Sequence, residues 1–169
     1  VAELFSDGFE GDDPKIPEGV IDISEQVSPS LECDLELSSL PSLSLQLEPN
    51  EVVSTLGYDV WYRTNGGSWA SEAVIMFGSS TEPMINLTPA VGIDGTLPTL
   101  TQFAEPPLDL TTVVPGEDLS FAVGADGVMK VWFCEAYNDG ANPDGFYGPQ
   151  SSLQVNHPAA SARGVNARS

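Results

Sequence analysis

The residues of this chain best suited to chemistry are oxygen-bearing side chains gathered in two short stretches. One stretch lies within residues 7–13 and the other within residues 138–144. Carboxylate and amide oxygens displayed on loops are the ligands that Ca²⁺ prefers in proteins. We therefore predict a structural calcium ion whose candidate ligands are Glu10, Asp12, Asn138, Asp139, Asn142 and Asp144. The second stretch lacks the spacing and the closing Glu of an EF-hand, so the alternative is an Asx-rich turn whose side chains bond their own backbone.

A second kind of site would use aromatic rings as flat stacking platforms for a carbohydrate. Phe146 and Tyr147 follow the acidic loop directly, beside Asp144. The other aromatic residues, Trp69 and Tyr137 among them, are expected mostly in a core or in cross-strand pairs. Phe146 and Tyr147 are therefore the candidate ligand-stacking residues.

Catalytic chemistry is not indicated. The single histidine, His157, is followed by Pro158 in a polar tail, and the chain contains neither a G-x-S-x-G elbow nor an H-E-x-x-H motif. Acidic residues are so frequent that a pair of carboxylates carries no information about glycoside hydrolysis. We expect that the chain is not an enzyme.

The two cysteines, Cys33 and Cys134, predict one disulfide that closes a long loop. An exported protein with two cysteines favours that bond over two free buried thiols, which are the alternative. Alternation along residues 128–137 places Cys134 with Trp132 on the face opposite Phe133. The bond therefore requires that the Trp132 face is buried too. A zinc site is not indicated, because the cysteines and histidine lack the ligand spacing.

The elements that must position these residues are strands. No useful length of sequence shows the 3.6-residue periodicity of a helix, and 16 Gly and 14 Pro interrupt the chain at short intervals. Two turn sequences, at residues 65–67 and 125–127, predict hairpins. They are expected to join strands at 56–64 with 69–77, and at 119–124 with 128–137. Further strands are predicted at 20–23, 31–37, 43–47, 84–87, 90–93, 100–103, 108–113 and 152–155.

Short strands at this spacing predict an all-β chain folded as a two-sheet β-sandwich, of jelly-roll or immunoglobulin-like topology. A chain of 169 residues suits one such domain. We place the domain at residues 20–156, between an acidic N-terminal segment (residues 1–19) and a basic C-terminal tail (residues 157–169). Both terminal segments are expected to be extended.

The charge balance limits the range of partners. With 5 basic and 25 acidic residues the formal net charge is −20, which repels nucleic acid and anionic lipid. No apolar run approaches the ~20 residues of a membrane-spanning helix. We therefore expect neither nucleic acid nor a membrane span. Copies of the same chain are the expected partner, with a glycan as the alternative.

Complementary ends indicate how such copies would join. The acidic segment of one subunit attracts the basic tail of the next, a head-to-tail contact that propagates into a filament. The open edges of a sandwich also accept an added strand, for which residues 20–27 and 153–165 are candidates. The alternative is a tail that folds back on its own acidic domain. The residues expected to carry assembly are Leu4, Phe5, Phe9, Arg163 and Arg168.

The stretch LFSDGFEGDD, residues 4–13, resembles the mature start of many secreted proteobacterial proteins, which begin with F-S-D-G-F-E just past the signal peptide. It is also similar to the N-terminal G-F-E-x-G of jelly-roll carbohydrate-binding modules, in which the Glu helps to hold a structural calcium ion. The resemblance implies export and a sandwich, and it gives Glu10 the role of calcium ligand. The opening Val1-Ala2-Glu3 likewise suggests a processed secretory N-terminus.

These features together lead us to expect a secreted structural subunit of an extracellular bacterial assembly, such as a filament, fibre or surface layer. Its subunits would join through terminal-segment contacts or strand addition. The alternative is a calcium-stabilised carbohydrate-binding or adhesive module that holds a glycan against Phe146 and Tyr147.

Overall fold

The computed structural model describes residues 19–137 and 143–156, and strands dominate this part of the chain. Its helical segments are two short 3₁₀ helices, Leu37–Ser39 and Ala70–Glu72. The all-β prediction is therefore confirmed. Within the same residues no helix has the length and apolar character needed to cross a lipid bilayer. The predicted domain boundaries fall at the limits of the described ranges and stay predictions.

Antiparallel strand pairs build three sheets from the described residues: one of six strands, one of four and one of two. In chain order the strands are β1 (Val20–Asp22), β2 (Val27–Ser28), β3 (Ser42–Gln46), β4 (Val52–Val53), β5 (Thr55–Thr64), β6 (Ala73–Ser79), β7 (Pro83–Leu87), β8 (Thr101–Asp109), β9 (Phe121–Ala122), β10 (Val128–Glu135), β11 (Gly145–Tyr147) and β12 (Ser152–Val155). The strands predicted at 43–47, 56–64, 84–87 and 152–155 agree with β3, β5, β7 and β12 to within a residue or two.

The six-stranded sheet is organised around β5. One edge of β5 pairs with β8, and the other edge pairs with β12 near its start and with β11 near its end. β1 lies outside β12, and β2 lies outside β11. Val60, Tyr62 and Thr64 are buried while Trp61 and Arg63 between them are less so, which is the alternation of a strand with one face in a core.

The four-stranded sheet has the order β3-β10-β6-β7, so that β10 lies in its interior. Met129 and Phe133 are buried on one face of β10, and Trp132 and Cys134 are buried on the other. The predicted division of this strand into two faces is therefore confirmed. The two-stranded sheet pairs β4 with β9.

One apolar cluster draws side chains from both larger sheets. Val60 and Tyr62 come from β5, Phe133 comes from β10, and Tyr147 comes from β11. The rings of Phe133 and Tyr147 lie with their centroids 5.7 Å apart. Because β10 and β11 belong to different sheets, this contact joins the sheets directly. Burial of such side chains supplies most of the favourable free energy of folding.

Residues 31–40 cover the outer face of the four-stranded sheet. Leu31, Leu37 and Leu40 pack on Trp132 and Cys134 in a second apolar cluster. Cys33 is bonded to Cys134, with the two Cα atoms 5.0 Å apart. The predicted disulfide is therefore present, and the Trp132 face is buried as that bond requires.

The strand predicted at residues 31–37 is wrong. Glu32 makes a single parallel bridge to Glu135, after which the chain turns and enters the 3₁₀ helix Leu37–Ser39. The alternating leucines suggested a strand, but Leu31 and Leu37 attach the segment to a face of the sheet. A segment lying on a face has no neighbouring ladder to pair with.

Both predicted hairpins are wrong, although both turns are present. Gly127 takes a φ of 71° and its N–H donates to the Gly124 carbonyl at 3.0 Å, as a tight turn requires. However, β9 before this turn pairs with β4, whereas β10 after it pairs with β3 and β6. The turn at residues 65–67 likewise connects β5 with β6 in the other sheet. β10 makes a longer ladder with β6 than β9 could offer, since β9 has two residues.

Residues 101–103 and 108–109 of the segments predicted at 100–103 and 108–113 belong to one strand, β8, which runs through Pro106 and Pro107. The rest of the second segment, residues 110–113, forms a turn, so that part of the prediction is wrong. Proline donates no hydrogen bond, and β5 has a bulge opposite, between Leu56 and Tyr58. Gly57 permits the close approach, because a Cβ there would lie 2.9 Å from the Glu105 carbonyl oxygen.

One other strand prediction fails, and the candidates for strand addition are paired within the domain. Residues 90–93 form a turn, closed by a bond from Ile93 N–H to the Ala90 carbonyl. Residues 20–27 and 153–155 hold β1, the start of β2, and β12, which pair within their own sheet. They are therefore not free donor strands, and the remainder of the second candidate, residues 157–165, lies outside the described residues.

The six-stranded sheet has two ends, which differ in what they carry. At one end the Val155 N–H donates to the Gly19 carbonyl at 2.6 Å, so the first and last parts of the described chain lie side by side. We call this the exit end. Thr55, the first residue of β5, is at this level, because its carbonyl accepts from Asn156. At the opposite end, which we call the far end, β5 ends at Thr64.

Replacing both cysteines by alanine should leave the fold intact but destabilise it by about 4–5 kcal/mol, because the bond closes a loop with a sequence separation of 101 residues. Urea denaturation followed by tryptophan fluorescence measures the loss. Reduced wild-type protein is the control, since it separates the cross-link from side-chain packing. A double variant as stable as the oxidised wild type would contradict the assigned contribution.

Candidate functional site

The polar side chains that converge in this structure lie at the far end. Glu135 ends β10, Asp144 precedes β11, and both are 0 % exposed. Glu72, at the end of the second 3₁₀ helix, accepts a bond from the Ala136 N–H at 2.7 Å and so lies beside them. Buried carboxylates are rare in proteins, since removal from water penalises the charged form. These residues are the candidate functional site.

Glu135 reaches the interior through the alternation of β10. It follows Phe133 by two residues, so that its side chain points to the core face. Its backbone N–H donates to Leu31 at 2.9 Å, and its carbonyl accepts from Cys33 at 3.1 Å. Because Cys134 directly precedes Glu135, its disulfide also restrains the backbone of Glu135.

Asp144 is held by backbone bonds on two sides. Its N–H donates to the Ser28 carbonyl at 2.9 Å, and its carbonyl accepts from the Asn65 N–H at 2.8 Å. The Asn65 amide also donates to the Pro143 carbonyl at 3.0 Å. The Ser28 hydroxyl in turn donates to the Glu135 carboxylate. Ser28 thus links the backbone of one acidic residue to the side chain of the other.

Two tyrosine hydroxyls complete the cluster. The rings of Tyr62 and Tyr147 lie with centroids 4.8 Å apart, and each residue is 1 % exposed. The Tyr147 hydroxyl makes no hydrogen bond within the described part of the chain. Gly145 is needed beside them, because a Cβ at that position would overlap the Tyr62 hydroxyl. These contacts define the carboxylate–tyrosine cluster: Tyr62, Glu72, Glu135, Asp144 and Tyr147.

The electrostatics keep both phenols protonated. Burial, followed by the negative charge of Glu135, raises the pKa of Tyr62, and the Ser28 hydroxyl opposes this shift. Burial is likewise the main cause that raises the pKa of Tyr147, with Tyr62 and Glu135 adding to it. The cluster therefore combines carboxylate acceptors with phenol donors. Such an arrangement can share a proton between carboxylates or contribute oxygens to a hard cation.

Most of the residues predicted to hold calcium lie outside the part of the chain that the structure describes. Asp144 is described and buried, whereas Glu10, Asp12, Asn138, Asp139 and Asn142 lie outside the described residues. In residues 19–137 and 143–156, no group of three or more His, Cys, Asp or Glu side chains is arranged to hold a metal ion. The assembly residues Leu4, Phe5, Phe9, Arg163 and Arg168 also lie outside the described ranges.

The predicted stacking pair is corrected by the structure. Tyr147 cannot stack on a sugar, because its ring is buried against Tyr62 and Phe133. Phe146 is half-buried, and the Arg63 guanidinium lies over its ring, 4.3 Å from the centroid. In a three-residue strand the two aromatic side chains must point in opposite directions, so they never formed one platform.

The aromatic rings that are largely exposed among the described residues are Trp69, at 47 %, and Tyr137, at 60 %. Both lie at the far end. Trp69 precedes the 3₁₀ helix Ala70–Glu72, and Tyr137 follows Ala136, whose N–H bonds to Glu72. Sequence reasoning grouped them with the core. The available signal was their position, since each lies next to a glycine-containing turn sequence.

Replacing Tyr147 by Phe should leave stability unchanged or raise it by up to about 1 kcal/mol, because it removes a buried hydroxyl that lacks a hydrogen bond to the described residues. Tyr58→Phe is the matched control. The Tyr58 hydroxyl donates to the Pro89 carbonyl at 3.4 Å, so its loss should cost about 0.5–1 kcal/mol. Urea denaturation compares the two, and a larger loss for Tyr147→Phe would show that its hydroxyl binds something further.

The chain matches no protein-family model, and no curated protein sequence matches it. What can be inferred about function comes instead from its own residues. The informative features are the carboxylate–tyrosine cluster, the exposed rings of Trp69 and Tyr137, and the neighbouring positions of Gly19 and Asn156 at the opposite end of the six-stranded sheet.

Proposed function

We propose that this chain is a secreted structural subunit of an extracellular bacterial assembly, such as a filament, fibre or surface layer. Its two larger sheets would form a sandwich of jelly-roll or immunoglobulin-like topology, and its terminal segments would join it to other copies. The observation that carries this proposal is the position of Gly19 and Asn156, which lie side by side at the exit end. Both terminal segments therefore depart from one end of the domain.

The charges of these two segments favour contacts between subunits. Residues 1–18 contain six acidic residues and one lysine, whereas residues 157–169 contain two arginines and no acid. Opposite charges on two different segments attract each segment to its counterpart on another copy, and a contact between two different surfaces repeats from copy to copy. The disulfide supports the secreted location, since such bonds persist in oxidising compartments.

Open sheet edges offer a further route to assembly. Among the described residues β7 pairs with β6 and has no second partner, and β8 pairs with β5 alone. An edge strand presents unpaired backbone groups to which another chain can add. Met84 on β7 is half-exposed, so an added strand would also cover apolar surface there.

Deleting residues 157–169 should abolish assembly and leave the domain folded, because the last described strand ends at Val155. Light scattering and negative-stain microscopy of the untagged protein measure assembly, while circular dichroism and thermal melting check the fold. Asn166→Ala is the control, because it changes the tail but keeps its length and both arginines. A tail-deleted chain that still polymerises would contradict the proposed role of the tail.

A calcium-stabilised carbohydrate-binding or adhesive module is the second candidate function. It is favoured by the position of Asp144, which is buried beside Tyr62 and Glu135 and ends the stretch predicted to bind calcium, since carboxylate oxygens are preferred ligands of that ion. Asp144 would hold the ion together with Asn138, Asp139 and Asn142, and the ion would stiffen the loop they occupy. The exposed rings of Trp69 and Tyr137 would then replace Phe146 and Tyr147 as the glycan platform.

Under this second candidate, calcium at 100 times its Kd should raise the melting temperature by about 5–10 °C, because binding to the folded state stabilises it by about 2.7 kcal/mol. Asp144→Asn should lose this shift. Asp59→Asn should keep it, because Asp59 bonds Gln102 at a distance from the cluster. Melting curves with calcium and with chelator measure the effect, and identical curves for the wild type would count against a calcium site.

A further inference from the structure

An exposed apolar and aromatic surface lies at the far end of the fold. It consists of Trp69, Tyr137 and Ile93, which are 47 %, 60 % and 38 % exposed, and we call it the far-end surface. Three such side chains together are a recognisable docking feature, because large exposed apolar groups are otherwise scattered singly over a protein surface.

Backbone contacts bring the far-end surface together. Glu135 pairs with Ala73 in the β10–β6 ladder, and the next residue, Ala136, bonds to Glu72. Continuing this antiparallel register places Tyr137 beside Ser71, two residues from Trp69. The Ser71 N–H donates to the Ile93 carbonyl at 3.1 Å. All three exposed side chains therefore border the same short helix.

An acidic side chain borders the same surface. The Ser71 hydroxyl donates to the Asp94 carboxylate at 2.8 Å, and Ser71 belongs to the short helix that follows Trp69. Aromatic faces beside carboxylates suit arginine, because its guanidinium stacks on rings and pairs with carboxylates. The protein already uses this contact once, where Arg63 lies over Phe146 at 4.3 Å.

The C-terminal tail, which contains two arginines, departs from the exit end. Residues 157–169 follow Asn156 at the exit end and contain Arg163 and Arg168. β5 separates the two ends by ten residues, about 30 Å at ~3.3 Å per residue. Arg163 is seven residues beyond Asn156, so its backbone extends at most about 25 Å. The backbone of Arg163 therefore falls short of the far-end surface of its own subunit. Arg168, twelve residues beyond Asn156, extends at most about 40 Å and would reach that surface only with most of the tail extended. A neighbouring copy can receive both arginines without that extension.

We propose that the far-end surface is the docking site for residues 157–169 of a second copy of this chain, with the arginines stacked on Trp69 and Tyr137. The inference rests on the proposed assembly function and names its contact. Subunits stacked with an exit end against a far end bring both arginines within reach. The same contact then repeats at every junction, which makes a linear polymer.

The test uses two full-length variants with complementary defects. Trp69→Ala/Tyr137→Ala removes the docking surface and keeps the tail, whereas Arg163→Gln/Arg168→Gln keeps the surface and removes the tail charges. Each alone should assemble about 100-fold more weakly than the wild type, since buried aromatic and arginine residues dominate interface affinity. An equal mixture of the two should stop at heterodimers, measured by analytical ultracentrifugation at low salt.

Leu35→Ala is the matched control, because Leu35 is 44 % exposed and lies outside both the far-end surface and the open sheet edges. It should assemble as the wild type does. Circular dichroism and thermal melting confirm that each variant is folded.

Different failures separate the inference from the proposed function. If the wild type assembles and Trp69→Ala/Tyr137→Ala assembles equally well, the docking site is wrong while the assembly function stands. A mixture that remains monomeric overturns the docking site as well. If the wild type is monomeric at every concentration, the assembly function itself is wrong. A monomer that binds a glycan array through Trp69 assigns the far-end surface to carbohydrate.

Discussion

β10 is buried on both faces, and much of the structure depends on that constraint. Its inner face carries Phe133 into the core shared by the two larger sheets, while its outer face carries Trp132 and Cys134. An indole of this size needs apolar cover, which residues 31–40 supply, and the disulfide holds that cover in place. The same alternation directs the Glu135 side chain to the inner face at the end of the strand. β10 therefore also places a carboxylate in the candidate site.

The features of the fold that depend on a few neighbouring residues could be predicted from the sequence. The strand at 152–155, the positive φ of Gly127 and the two faces of β10 follow from residue types over a few positions. The disulfide also followed, because burial of Trp132 was its single structural condition. Strand pairing did not follow. Whether the turn at residues 125–127 joins neighbours or crosses between sheets depends on the length of ladder available elsewhere, which no short window of sequence records.

The candidate site shows the same division. Tyr147 and Phe146 could be separated by alternation, but a three-residue strand contains no indication of which face turns inward. Glu135 was within reach of sequence reasoning, since it continues the pattern of Val131 and Phe133. Trp69 had two conflicting signals, because a tryptophan near the start of a predicted strand is expected to be buried, whereas its position next to a glycine-containing turn indicated exposure. Its exposure follows from a 3₁₀ turn that replaces the first residues of that strand.

The placement of the disulfide also governs how the domain would respond to mechanical tension. A force applied between Gly19 and Asn156 is transmitted through the bond between Cys33 and Cys134, which bypasses the residues enclosed by a sequence separation of 101. β3 to β9, and β10 up to Cys134, lie inside that closed loop. Elongation is therefore restricted to the residues before Cys33 and after Cys134, and most of the domain is inextensible while the bond is oxidised. Redox state, more than packing, would then set the greatest length to which a strained domain can extend.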